Sequence, residues 1–349
     1  MSEPKQHSVP PNQPLEIRPL DADDDAALSE WHATYLASDQ YGRELSVPWM
    51  KDEVRAQLTV DSPGQRMLAF GGYVDGRVVA TGTIELPLRD NLHLAHIELH
   101  THPGHRNRGY GGAMLAHLEG VAHEQDRRML VAETATPYEG PPDGAGHPNA
   151  DFLTHRGFNF AIGDVMRVLN LPADEGRLRR LADEAGAHHS DYDIRQFVDR
   201  VPDDIVDSFG SLIGQLNTEA PQGDLDIEEE VFDEARIRAD EEVFRASGRS
   251  KYTTVAVRDG EVAAYSELVV PAHHPGRVYQ WGTLAAPAHR GHRLGLATKA
   301  RNLLWLQQER PDLELLVTYN AEVNTHMIAV NEALGFRPAE RLGEFQKKL

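Results

Sequence analysis

The stretch Arg106-Asn107-Arg108-Gly109-Tyr110-Gly111-Gly112 is the part of this sequence best suited to chemistry. It follows an extended run and opens a helical one. A Gly-rich turn into a helix leaves backbone N–H groups aimed at one point, with the helix dipole behind them. That arrangement binds phosphate. Glycine keeps side chains out of the phosphate's path. A second copy follows at Arg290-Gly291-His292-Arg293-Leu294-Gly295. Either copy alone is a weak pattern, but two at matching places carry more weight.

The elements that must position these turns also come in pairs. Asp75-Gly76 and Asp259-Gly260 are hairpin turns between apolar strands, at an offset of 184. Pro103, Arg106 and Gly111 match Pro287, Arg290 and Gly295 at the same offset. Leu15–Leu20 resembles Tyr192–Phe197, and Gly157-Phe158 resembles Gly335-Phe336. The period is a domain's length and too long for a solenoid. One domain has been duplicated: 15–172 and 192–349, after a disordered tail, 1–14, and around a linker, 173–191. Leu178 and Leu181 suit a short amphipathic helix in that linker. Each half reads as a strand, a helical region, a hairpin, a further strand, the turn, a helix (about 109–124 and 293–309) and another strand. The second half continues into a helix over 324–334. This order predicts an α/β fold with a mixed, mostly antiparallel sheet and flanking helices in each half.

Composition narrows the function. The chain has 349 residues, with 35 Lys and Arg against 55 Asp and Glu, a formal net charge of −20. Such a chain is repelled by phosphate backbones, so no nucleic-acid partner is expected. It has no cysteine, which excludes disulfides, thiolate metal sites and a Cys nucleophile. No apolar run approaches the ~18 residues of a membrane span, and no secretory signal opens the chain. A cytoplasmic protein without a membrane partner, monomeric or homodimeric, is expected.

With both turns in view, each half resembles the GCN5-related N-acetyltransferase superfamily. Its signature, Arg/Gln-x-x-Gly-x-Gly/Ala, is met at Arg106, Gly109 and Gly111 and again at Arg290 and Gly295, with Arg293 where the middle glycine belongs. The second motif, Asn followed later by Gly-Phe, is met from Asn324 to Gly335-Phe336. The resemblance spans about residue 15 to 349. It implies acetyl-coenzyme A as donor, no metal, a small-molecule primary amine as acceptor, and direct attack of that amine on the thioester. It implies donor contacts at Arg106, Arg108, Gly109, Gly111, Arg290, Gly291, His292, Arg293, Gly295, Asn320 and Asn324. Backbone N–H groups near Leu284 to Ala286, and near Leu99 to Thr101, are expected to polarise the thioester carbonyl. Many members protonate the thiolate with a Tyr four residues before the Gly-Phe glycine. Leu153 and Asn331 stand there instead, and Tyr319 is the nearby substitute.

An ammonium group must lose a proton before it attacks. In the first half Glu98 is the candidate base, and strand alternation places His96, Glu98, His100 and His102 on one face. That face reads as a proton relay or as an ordinary polar surface. Three His on one straight strand cannot surround a metal unaided. In the second half Gly282 replaces Glu98, so Glu267 is the candidate. Trp281 beside it packs on a ligand or in the core. The acid-rich run Glu219–Glu242 lies where the family lines its acceptor site. It attracts a cationic amine in one reading and is a solvated helix in the other, the second being the commoner case. One half is expected to dominate catalysis, the second by its fuller motif. The competing class is a non-catalytic coenzyme A-binding or assembly protein, suggested by the missing Tyr.

Overall fold

The computed structural model describes residues 14–349. Of the expected disordered tail, 1–14, all but Pro14 lies outside the described residues. In the first half, β1 (Glu16–Pro19) leads to α1 (Asp25–Asp39) and α2 (Lys51–Thr59). Then come β2 (Gln65–Val74), β3 (Arg77–Pro87), β4 (Leu94–Thr101), α3 (Tyr110–Glu124), β5 (Met129–Pro137), α4 (Pro148–Thr154) and β6 (Asn159–Asn170). The connecting helix is α5 (Glu175–Gly186). The second half begins with β7 (Asp193–Val198), α6 (Val206–Gly214), α7 (Leu216–Glu219) and α8 (Glu234–Ala246). It continues with β8 (Arg249–Arg258), β9 (Glu261–Pro271), β10 (Arg277–Ala285), α9 (Leu294–Glu309), β11 (Leu315–Ala321), α10 (Thr325–Leu334) and β12 (Arg337–Lys348).

Local chemistry explains the elements. The Asp24 carboxylate caps α1 by accepting from the N–H groups of Ala26 and Ala27. Asp75 and Gly76 both take positive φ (51° and 76°), as do Asp259 and Gly260 (52° and 84°). Two positive φ values in a row make the hairpin turn whose twist matches the strands.

The described strands form one sheet of twelve, in the order β1-β2-β3-β4-β5-β12-β6-β11-β10-β9-β8-β7. Only β4–β5 and β10–β11 pair in parallel. The sequence pointed to a separate sheet in each half, and the last strands join them. β12, from the chain's end, lies between β5 and β6, and β6 lies between β12 and β11. Each half therefore completes the other's core. Phe345 of β12 is fully buried with Leu115 and Phe158 of the first half. Leu169 of β6 and Leu178 of α5 belong to the second half's core with Leu303 and Phe336.

The acid-rich run is not one solvated helix. Glu219 ends α7, the acids from Glu234 onward lie on α8, and residues 221–233 form a strap laid across the first half. The strap is apolar enough to pack: Leu225 and Ile227 lie on Leu94, Met129 and Val131. Its backbone is held too, with Glu228 N–H donating to Asn91 Oδ1 at 2.7 Å. Buried Arg236 pins its far end to Asp90 (2.7 Å) and Glu230 (2.9 Å). The reverse crossing places Leu45 and Val47, between α1 and α2, on Met166, Val269 and Tyr279. There buried Glu53 pairs with Arg249 at 2.7 Å.

Candidate active site

In each half the parallel pair opens into a wedge. β4 and β5 pair only from Leu94–Met129 to Ile97–Ala132, and β10 and β11 only from Arg277–Leu315 to Gln280–Thr318. Beyond those points the backbone groups facing the wedge have no strand partner. His102 N–H donates to the Val79 carbonyl, so by alternation the N–H groups of Leu99 and Thr101 face the wedge. Ala286 N–H donates to Ala263 at 2.9 Å. It and Leu284 therefore point to β9, and the N–H groups that face the second wedge are those of Thr283 and Ala285. This corrects the expected pair Leu284 and Ala286. A bulge between Gln280 and Thr283 re-aims this part of β10.

The turns sit at the wedge mouths. Gly109, at φ 85°, starts α3, and no side chain caps that helix. The first helical bond there is Ala113 N–H to Gly109, which leaves the N–H groups of 110–112 without an intrahelical acceptor. A Cβ on Gly111 would meet the Phe152 ring and Thr101 Oγ1 at 3.2 Å, so glycine is needed for close approach. Arg106 stacks on Tyr41 at 4.7 Å and reaches Ser38 Oγ at 3.3 Å. Arg108 Nη2 reaches back to the Gly104 carbonyl at 3.4 Å. In the second turn the left-handed positions are the same two, with glycine at the other one. Gly291 (87°) matches Asn107 (61°), and Arg293 (55°) matches Gly109. Here, however, Arg290 is ion-paired with Glu219. His292 Nδ1 lies 2.9 Å from the His188 carbonyl, and Gly295 faces open space up to Thr283 at 3.9 Å.

Beside the first wedge the sheet carries carboxylates that sequence reading missed. His100 Nε2 lies 2.7 Å from Glu98 Oε1, and its ring meets Tyr35 edge-on at 4.8 Å. Glu98 and Glu133 face each other across the wedge. Glu344 of β12 pairs directly opposite Glu133, and Asp164 of β6 lies opposite Leu342, two residues away on the same face. Glu85 pairs opposite His96. Burial pushes Glu133 up to about 7, with help from Glu98, Asp164 and Glu85. It pushes Glu344 up to about 8, aided by Glu133 and Asp164. It also raises Asp164 to about 6 and Glu85 to about 7, the latter with Glu230. Glu133 is exposed to solvent although protein surrounds it, so this face of the strands is open to a ligand. Among the described residues no cation forms an ion pair with any of these four. Their signal in the sequence was an acid inside an apolar strand, as in Met129-Leu130-Val131-Ala132-Glu133.

The remaining expected residues are otherwise engaged. Glu267 lies on β9 opposite the bulge, buried and paired with Lys251 at 2.9 Å. Tyr319 occupies on β11 the register position that Glu133 has on β5, and burial raises its hydroxyl well above the usual range. Asn324 caps α10 through Met327 N–H at 3.1 Å. Asn320 Oδ1 accepts from Asn331 at 3.0 Å, and Asn331 accepts from Lys299 Nζ at 2.7 Å. Trp281 meets Phe244 edge-on at 5.1 Å. Among the described residues no cluster of three or more His, Asp or Glu is arranged to hold a metal. No helix there is long and apolar enough to cross a membrane.

Two wedges, each with a phosphate turn at its mouth, define an acyl-transfer fold in tandem. Residues 29–140 match the model of the Acetyltransferase (GNAT) family. The chain is also similar to a tandem GNAT protein from the clavulanic acid biosynthesis pathway. Identity is 28%, over 96% of this chain and 98% of that one, with a TM-score of 0.78. The first half thus carries a match to the GNAT family, and the whole chain has the fold of a tandem two-domain GNAT protein. A GCN5-related N-acetyltransferase from Sphaerobacter thermophilus shares the fold at 12% identity, 96% and 95% coverage, and a TM-score of 0.60. So does the glucosamine N-acetyltransferase region of a fungal multi-domain β-N-acetylglucosaminidase, at 14%, 99% and 40%, and 0.62. No curated protein matches the chain.

Proposed function

We propose that this protein moves an acetyl group from acetyl-coenzyme A to a primary amine of a small cationic molecule, with the first half holding the donor. The observation that carries this reading is the open, acid-lined face at the first wedge, beside a Gly-rich turn whose Arg106 has no carboxylate partner among the described residues. The tandem relative's structure is specified as the form without acetyl-CoA, which names that donor for the relative. The reading includes a cytoplasmic location, a monomer or homodimer, and units 15–172 and 192–349 joined by 173–191.

The residues present fit the donor. The turn at 106–112 would hold its pyrophosphate, and the wedge would take its extended arm. Bound acetyl-coenzyme A supplies an activated acyl carbon. The N–H groups of Leu99 and Thr101 face that position and stabilise negative charge on the carbonyl oxygen. Glu98 and Glu133 draw the acceptor ammonium to the same place. Glu133, at about 7, is a base matched to neutral pH and takes the amine's proton. The C–N bond forms as the C–S bond breaks, and the sulfur leaves as thiolate or thiol.

The test is calorimetric titration of acetyl-coenzyme A, followed by coenzyme A release with a panel of amines. Arg106→Ala should weaken donor binding about 10–100-fold, the worth of a charge-assisted contact. Arg290→Ala should change it less than about threefold, because Glu219 already neutralises that guanidinium. Absence of donor binding and of coenzyme A release with every amine overturns the proposal.

A further inference from the structure

The cleft holds more negative charge than one ammonium group satisfies. Glu98 and Glu133 flank the wedge where acyl transfer would occur. Glu344 and Asp164 form a second tier, on β12 and β6. Neighbouring strands lie roughly 4.8 Å apart, so two strand spacings and a two-residue stagger place Glu133 and Asp164 about 12 Å apart at the backbone. Behind the first tier a small, partly open pocket of about 70 Å³ is lined by Glu85 and His96. That is room for about two waters or an aminomethyl end. Neither Glu85 nor His96 has a side-chain hydrogen-bond partner among the described residues. Arg236 lines the pocket too, but it is committed to Asp90 and Glu230. Burying unpaired charge costs free energy unless a partner arrives.

We infer that the acceptor carries at least two cationic groups, one placed at Glu98 and Glu133 for acetylation and one held by Glu344 and Asp164. This rests on the reading that the cleft takes an amine, and it narrows that amine to a diamine or polyamine class. A spacing of about four to eight carbons spans the two tiers. It also makes Glu344, brought in by the second half's last strand, a specificity-determining residue.

The test reads binding, so it stands apart from turnover. 1,6-Diaminohexane and hexylamine are titrated by calorimetry into the full-length protein at pH 7.5 and at two salt concentrations. The diamine should bind at least tenfold more tightly, as a second charge-assisted contact predicts. Glu344→Gln and Asp164→Asn should each cut that ratio about tenfold, while circular dichroism reports their folding. In steady-state assays the same variants should lower the diamine-to-monoamine ratio of kcat/KM through KM. Equal binding of both amines, or a ratio unmoved in both variants, overturns the inference. If the diamine binds tightly and no coenzyme A is released, the acetyl-transfer reading fails instead and this one survives.

Discussion

Lys299 gives a prediction whose size follows from its surroundings. It lies on α9, almost wholly buried, at 2% exposure. Its Nζ has one hydrogen-bond acceptor, Asn331 Oδ1 at 2.7 Å, with Met327 Sδ at 3.9 Å and the Phe336 ring at 5.6 Å. No carboxylate offsets its charge, and burial lowers its pKa to about 7 from the usual 10.5. Between those values the unfolded chain binds more protons than the folded one, so stability rises with pH in this window. It is lost as the pH falls from about 10.5 towards 7. At ~1.36 kcal/mol per pH unit the full gap is worth about 5 kcal/mol, and roughly 4 of that is in force at pH 7. Lys299→Met fills similar space without the charge. It leaves Asn331 Oδ1 unpaired, at a cost of about 1–2 kcal/mol. The variant should therefore be about 2–3 kcal/mol more stable than the parent at pH 7 and slightly less stable at pH 10.5. Urea midpoints at the two pH values measure this. If the parent and Lys299→Met change in parallel with pH, Lys299 is paired in a way this geometry does not contain and the argument fails.

Other outcomes follow from the same packing. Glu53→Gln strands the Arg249 guanidinium between Trp49 and Trp281, at 4.2 and 5.5 Å, and should cost about 3–5 kcal/mol in urea unfolding. Deleting 337–349 removes β12 and bares the edges of β5 and β6, so soluble yield should collapse and size-exclusion chromatography should show aggregates. The kcat/KM for an amine should rise with pH through about 7 as Glu133 loses its proton. Glu133→Gln should flatten that limb and lower the rate about 100-fold.

Much of the fold was legible because it is local. Asp75-Gly76 and Asp259-Gly260 specify their hairpins through backbone conformation, and both fall between the expected strands. The phosphate turns were legible for the same reason. Even the displaced glycine of the second copy proves to be an exchange between two left-handed positions, Gly291 and Arg293. What was not legible depends on distant pairing. Arg337–Lys348 has few apolar residues, so its period says little, and nothing local says that its partners are β5 and β6. The strap at 221–233 reads as acid from end to end, yet Leu225 and Ile227 suffice to dock it. Apart from Glu98, the carboxylates of the cleft were hidden likewise. Glu133 was visible only as one acid in a strand, and its meaning comes from Glu344, more than 200 residues later.

The exchange of last strands also bears on why the two halves are fused. Carboxylates crowded on one face of a sheet repel one another, which is unfavourable. Here β4 and β5 bring Glu98 and Glu133 and β6 brings Asp164, all from the first half, and β12 brings Glu344 from the second, so the cleft takes its fourth carboxylate only in the joined molecule. At the matching register of the second half, Tyr319 replaces Glu133, Val269 replaces Glu85, Tyr279 replaces His96 and Met166 replaces Glu344. Those side chains pack with Leu45 and Val47 from the first half. On the proposed reading the first half keeps the acid-lined face, and the second supplies the strand and strap beside it. A substitution in β12 should consequently alter acceptor choice at a wedge built from β4 and β5, which no pair of independent domains would show.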